Sequence, residues 1–389
     1  MRVLVTDGDE RAALAAARSL VRAGFEVWVA AGRRWSLASV SRGVRPVVLS
    51  TDLLADPPGY AVEVGHVAQQ VDARVLLPIT DPSVEAVLAA RRAMPPALAL
   101  PFPPLATYRE ASDKLLMLDR AARAGLAVPE TRVLEHVDAE LPGAMFFPAV
   151  LKPHRSVVSA AAGGVGRRKL AVRFVDDPGQ CGAALRALPA TAFPVLLQRR
   201  VSGPGEGLFV LRWNGRVIAE FAHRRLREKP PAGGVSVYRE SIALDPVLVA
   251  AGRRLLADLD WQGVAMVECK RDAETGRHVF MELNGRLWGS LQLAIDAGVD
   301  FPALLVACAL GADVPAVTGY RVGVRSRWFW GDVDHLYLRL RDGGGRAARL
   351  AAVRDFFRLG FGRDREEIWR WRDPAPFVLE SFRRIGLAP

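Results

Sequence analysis

The chain has 389 residues, half of them apolar and 24% charged, with a formal net charge of +11. That length suits two or three domains at about 150 residues each, and the composition excludes a disordered chain. Only five of the 53 basic residues are lysines (Lys114, Lys152, Lys169, Lys229, Lys270), so a general preference for Arg explains the positive charge better than a nucleic-acid partner does.

The N-terminal segment MRVLVTDGDE is a short strand followed by acids and does not have the pattern of a signal peptide. Glu10–Ala23 carries Leu14, Ala17 and Val21 at helical spacing before Gly24. Phe25–Ala30 and Arg74–Ile79 read as buried strands, and Thr80 or Asp81 caps a helix with Pro82 in its first turn. Strand alternating with helix implies a parallel Rossmann-like sheet. Its first turn, TDGDER, lacks the GxGxxG spacing of a dinucleotide site. The Pro-rich stretch Met94–Pro104 is the expected exit, which gives a first domain of residues 1–106.

A second unit, 107–316, is expected to open with a helix from Thr107, with Glu110 at capping-box spacing, running to Gly125. Strands follow at Phe147–Lys152, Arg168–Phe174, Pro194–Arg199 and Gly207–Trp213, so the pattern turns from α/β to α+β. Asn214-Gly215 predicts a tight hairpin. A second hairpin pairs GVAMVECKR with GRHVFMELN. The longest apolar stretch, Leu287–Leu310, is broken by Asp296 and Asp300, so no membrane span is expected. Cys181, Cys269 and Cys308 lie far apart with no CxxC, which fits a reduced, cytoplasmic setting and core packing. Residues 317–389 form a basic, aromatic-rich extension. It is expected to pack on the core through Trp328, Trp330, Trp369 and Trp371 rather than to act as a nucleic-acid arm.

The chemistry concentrates in the second hairpin. Residues two apart share a strand face, so Glu282 and Asn284 point together, and Glu268 joins them if the register sets it opposite. Met266 and Phe280 are expected on that face too, with Val267, Cys269, Met281 and Leu283 behind it. Two carboxylates and an amide oxygen suit Mg²⁺, which completes its shell with phosphate and water oxygens. Lys114 and Lys152 flank SVVSAAAGGVG (156–166), whose small residues let backbone amides approach a phosphate. His154 and His223 read as structural.

In this order the landmarks resemble the ATP-grasp superfamily, in particular its carboxylate–amine ligases, over roughly residues 1–310. The resemblance implies a Rossmann-like pre-ATP-grasp domain, then a two-lobed ATP-grasp domain with antiparallel sheets. It implies phosphate contacts from Lys114 and Lys152, and a glycine loop containing Gly163 and Gly164. VLLQRRV (195–201) is similar to the adenine hinge, with Gln198 and the Val201 backbone at the base and Glu206 at the ribose. Glu268, Glu282 and Asn284 would hold two Mg²⁺, with Mn²⁺ as a substitute, and Arg286 and Arg225 would face the reacting groups. Many members have Asn-Pro-Arg where this chain has Asn284-Gly285-Arg286, which leaves Arg286 less constrained by its own backbone. The implied reaction joins a small carboxylate to an amine through an acyl phosphate, releasing ADP and phosphate, in a chain that could form a homodimer. A carboxylase or carbamoyl-type enzyme, an ATP-binding regulator and a nucleic-acid-binding protein are the alternatives.

Overall fold

The computed structural model describes residues 1–160, 164–342, 344–358 and 364–387. At the N-terminus come β1 (Arg2–Val5), α1 (Arg11–Arg22), β2 (Glu26–Ala31), β3 (Val44–Val48), α2 (Pro57–Gln70), β4 (Val75–Leu77) and α3 (Asp81–Ala89). Their strands pair in parallel in the order β3-β2-β1-β4. β3 and α2 were not predicted: VRPVV has a central proline and no alternation, and its burial is only partial. Thr80 caps α3 through a capping box with Ser83.

The helix predicted from Thr107 is two helices. α4 (Leu105–Ala111) starts at Pro104, and α5 (Lys114–Arg123) is capped afresh by Asp113, which accepts from the amides of Leu115 and Leu116. The break at Ser112-Asp113 puts Lys114 at a helix start. β5 (Thr131–Leu134), β6 (Ala149–Pro153), β9 (Arg173–Val175) and β10 (Val195–Arg199) then form a small antiparallel sheet, order β5-β10-β6-β9. Between β6 and β9 a two-stranded ribbon, β7 (Val157–Ser159) and β8 (Arg167–Lys169), stands apart. α6 (Pro178–Arg186) backs the small sheet, where Leu151, Cys181, Val195 and Leu197 share a core.

The large sheet is built from β11 (Gly205–Trp213), β12 (Arg216–Lys229), β13 (Val235–Ser241), β14 (Gly263–Arg271) and β15 (His278–Asn284). α7 (Pro246–Asp258) precedes β14, and α8 (Leu291–Ala297) and α9 (Phe301–Ala309) follow β15. The β11–β12 turn places Asn214 and Gly215 at φ 48° and 77°, the left-handed pair that a two-residue hairpin needs. α7 and α5 cover one face of the sheet, with Leu208, Val267 and Phe280 in the core between them. The other face shares a core with the N-terminal sheet, in which Phe209 and Met266 meet Val5 and Leu14. α8 and α9 meet at 93°, and no single helix among the described residues is long and apolar enough to cross a membrane.

The C-terminal segment completes this sheet. β16 (Arg325–Arg327) pairs with β13, and β17 (Asp364–Glu366) with β16, giving the order β15-β14-β11-β12-β13-β16-β17. α10 (Phe329–Arg341), α11 (Arg346–Phe357) and α12 (Ala375–Arg384) surround it. Trp328 packs against the core as expected, and the expectation needs correction at Trp371, which is 87% exposed. Buried ion pairs fix where the segment sits. Glu367 is buried between Arg11 of α1, at 2.6 Å, and the fully buried Arg239 of β13. Asp373 receives Arg18 at 2.8 Å.

Glu380, on α12, accepts from Trp328 Nε1 at 2.7 Å, and burial pushes its carboxyl up to about 7. The folded state therefore keeps this proton after the unfolded chain has lost it, and stability falls as pH rises from about 4.5 to 7. Glu380→Gln does not titrate. It should melt with the parent protein below pH 4.5 and at a higher temperature at pH 8, as a pair of pH-resolved thermal melts will record.

Candidate active site

The register of the second hairpin sets Glu268 directly opposite Glu282, and Met266 opposite Asn284. Immediately beyond, the ladder shifts: Cys269 pairs with Phe280, which leaves Met281 as an extra residue. Such a bulge reverses the in–out alternation of the strand beyond it. Phe280 thus turns into the α5–α7 core, and Met281 turns to the cleft with its sulfur 4.0 Å from Lys152 Nζ. Both positions correct the simple alternation expected from the sequence.

Two carboxylates facing each other across an antiparallel pair repel, and cations from four elements gather on them. Arg225 on β12 reaches Glu268 at 2.7 Å and Glu228 at 2.9 Å. Lys114 Nζ lies 3.7 Å from Glu282 and donates to Ser156 Oγ at 2.8 Å. Burial lowers the Lys152 ammonium, with Glu282 pulling the other way. Burial alone would raise Glu282, yet Lys114 and Lys152 bring its carboxyl down to about 2. Glu268 goes the other way: burial raises it, Arg225 opposes the rise and Glu282 adds to it. One carboxylate is thus held firmly anionic beside one whose charge costs more.

Arg286 approaches from the end of β15. Its Nε donates to Asp81 at 2.8 Å and its Nη2 to Asn284 at 3.3 Å. Asp81 also accepts from the buried Tyr108 hydroxyl at 3.0 Å. Asp81 lies in the first turn of α3, so the N-terminal sheet fixes a guanidinium of the large sheet. Gly285 is required sterically: an added Cβ would lie 2.4 Å from the Trp261 ring. The chain therefore holds Arg286 through Asp81 and close packing rather than through a proline.

The small sheet supplies the opposite wall. Lys152 pairs with Leu196 and Val150 with Gln198, so these four share one face. Gln198 is buried, donates to Thr131 Oγ1 at 3.1 Å and leaves its Oε1 without a partner. Val201 O accepts from Lys270 Nζ at 3.2 Å. Glu206 is not brought to this cleft. It pairs with Cys269, one step out of phase with Glu268, and its carboxylate turns to His278 Nε2 at 2.8 Å. Gly163 lies outside the described residues. Gly164 is described and lines an apolar niche beside α3. His154 contacts the Pro194 carbonyl, and His223 is buried edge-on to Phe209.

Among the described residues no three His, Cys, Asp or Glu side chains cluster as a metal site. The donor set Glu268, Glu282 and Asn284 suits a hard cation that takes its remaining ligands from phosphate and water. The unpartnered Gln198 acceptor fits an exocyclic amine. Sequence reasoning missed Asp81, Tyr108 and Met281. It also missed Glu228, three residues from Arg225 and so nominally on the other strand face; register shifts between Arg225 and Glu228 bring the pair together.

Residues 193–330 match a family model described as ATP-grasp in the biosynthetic pathway with Ter operon. Solved structures superpose over most of the chain. The L-amino acid ligase from Bacillus licheniformis is 18% identical, with 79% of this chain and 74% of that one covered, at a TM-score of 0.60. The protein has the ATP-grasp fold. N5-carboxyaminoimidazole ribonucleotide synthetase from Thermus thermophilus (18% identity, 84% and 81% covered, TM-score 0.58) shares it. So does the biotin carboxylase domain of the Hydrogenobacter thermophilus 2-oxoglutarate carboxylase, solved with MgADP and bicarbonate (16%, 83% and 73%, 0.62). No curated protein sequence matches the chain. The cleft between the two antiparallel sheets is where the charged residues converge.

The Gly285 packing generates a direct test. Gly285→Ala should cost about 1–3 kcal/mol, the usual penalty for overpacking a filled site. It should also displace Arg286 from Asp81. Equal melting temperatures for the two proteins would show that the Trp261 contact carries no constraint.

Proposed function

We propose that the protein is an ATP-dependent carboxylate–amine ligase working through an acyl phosphate. The observation that carries this reading is the half-buried pair Glu268–Glu282, with Asn284 beside it and Lys114, Lys152, Arg225 and Arg286 converging on it. A carboxylate is a poor acyl donor, so phosphoryl transfer from ATP would activate it first. Such transfer needs positioning and charge neutralisation more than covalent help. In the second step the amine nitrogen forms the C–N bond as the C–O bond to phosphate breaks. The phosphate leaves with that electron pair and a proton from the amine.

In this reading Lys114 and Lys152 bind the phosphates, and Gln198 Oε1 accepts from the adenine amino group, with the Val201 backbone at the ring. Glu268, Glu282 and Asn284 would hold Mg²⁺, which supplies charge neutralisation at the phosphates. Arg225 and Arg286 orient the activated carboxylate. Gly163 and Gly164 would belong to the loop that excludes water. We further divide the chain into a pre-ATP-grasp unit (1–106), the ATP-grasp unit (107–316) and the extension (317–389). A second reading, with bicarbonate as the acid, draws on the likeness to the carboxylase domain solved with bicarbonate.

The deciding experiment is an ADP-release screen of small acids against amines, with bicarbonate among the acids and Mg²⁺ present or withheld. Mass spectrometry of the product separates the two readings. ADP release that no acid stimulates would sink both.

Variants refine the assignment. Lys152→Met should abolish tight ATP binding, and Lys152→Arg should not restore full turnover, because a guanidinium does not replace a compact ammonium in a close phosphate pocket. Glu282→Gln should lower turnover by orders of magnitude and leave the melting temperature nearly unchanged. A collapse in stability instead would make Glu282 a structural partner.

A further inference from the structure

Two cavities meet beside the acid pair. One is small, about 50 Å³, and it touches the charged or polar Lys114, Glu282, Asn284 and Asp81. The other is about 260 Å³ and largely apolar, walled by Pro57, Pro82, Ala86, Ala89 and Val165. Glu85, Arg109 and Val157 line both, so the apolar chamber opens onto the charged cleft at these three residues. The N-terminal sheet's helices form one side of the chamber, and the β7–β8 ribbon forms the other. That ribbon is tied down by the Arg167 amide, which donates to Leu54 O at 2.6 Å.

The junction is chemically selective. Glu85 Oε1 accepts from Arg109 Nε at 2.8 Å, while Glu85 Oε2 has no partner among the described residues. A carboxylate with a free oxygen is an acceptor for an ammonium. The cationic groups suited to the carboxylate substrate, Arg225 and Arg286, lie at the acid pair instead. A molecule reaching from Glu85 into the chamber thus offers nitrogen to the cleft and hydrocarbon to the apolar wall.

Resting on the ligase reading, we propose that this chamber is the acceptor subsite and that the acceptor is an amine with an apolar body. The volume of about 260 Å³ has room for a hydrocarbon body of several carbons. The same chemistry is offered by a plain alkylamine and by an apolar α-amino acid, and Arg109 is placed to meet the carboxylate of the latter.

The test is a binding titration of the full chain, with and without a non-hydrolysable ATP analogue and Mg²⁺. The probes are butylamine, hexylamine, phenylalanine and ethanolamine. Each methylene entering the chamber should tighten binding about fourfold, so hexylamine should bind at least tenfold tighter than butylamine, with ethanolamine weakest. Ala89→Phe fills the chamber from an exposed position and should remove the chain-length dependence. It should leave ATP binding intact. Glu85→Gln should weaken every amine. Tight hexylamine and weak phenylalanine identify a plain amine, and the reverse order identifies an amino acid.

Affinities independent of chain length, or unmoved by Ala89→Phe, overturn the subsite. The ligase reading fails separately. Apolar amines that bind to a chain unable to bind ATP would keep the chamber and remove the ligase, whereas ADP release with polar amines alone would do the opposite.

Discussion

Two half-buried carboxylates placed directly opposite each other are the constraint on which the rest of this structure depends. A pair at that cross-strand spacing is unfavourable alone, and burial makes it more so. The fold meets this by sending one cation from each surrounding element: Lys114 from α5, Lys152 from β6, Arg225 from β12 and Arg286 from the end of β15. None of these elements is adjacent in sequence to all the others. The small sheet, the broken helix at Ser112-Asp113 and the anchoring of Arg286 by Asp81 are three local solutions to one electrostatic problem.

The same constraint separates what the sequence discloses from what it conceals. Period-two spacing makes Glu282 and Asn284 readable as one face, and the scarcity of lysine marks Lys114 and Lys152. The hairpin at Asn214-Gly215 follows from left-handed backbone angles that few residues tolerate. Three features leave no such trace. Bulges at Met281 and after Arg225 change which side chains face the cleft, and a bulge depends on the partner strand as much as on its own residues. Asp81 looks like an ordinary first-turn acid until folding carries it to a residue 205 positions away. Glu206 lies in a segment similar to a nucleotide hinge, but its register sends it to His278 on the other face.

The basic extension shows how misleading a net charge can be. Its arginines look like a polyanion site when counted, yet many are spent on acids inside the fold. Arg327 meets the buried Asp332 at 2.5 Å, beside Arg227 of β12 on the same acid, and Arg370 meets Asp296 at 2.7 Å. Such pairs contribute little net stability over apolar packing, but removing one partner leaves a buried charge and costs several kcal/mol. They therefore specify where the extension sits more than they hold it there.

That positioning reaches the cleft through one cross-strand relation. Arg225 and Arg239 are direct partners on β12 and β13. Each guanidinium is drawn to a different acid: Arg225 to Glu228 and Glu268, Arg239 to Glu367 of the extension. Glu367 thus neutralises the fully buried Arg239 guanidinium. It does so while also taking Arg11, so the residue just after the last strand of the large sheet ties the first helix to β13.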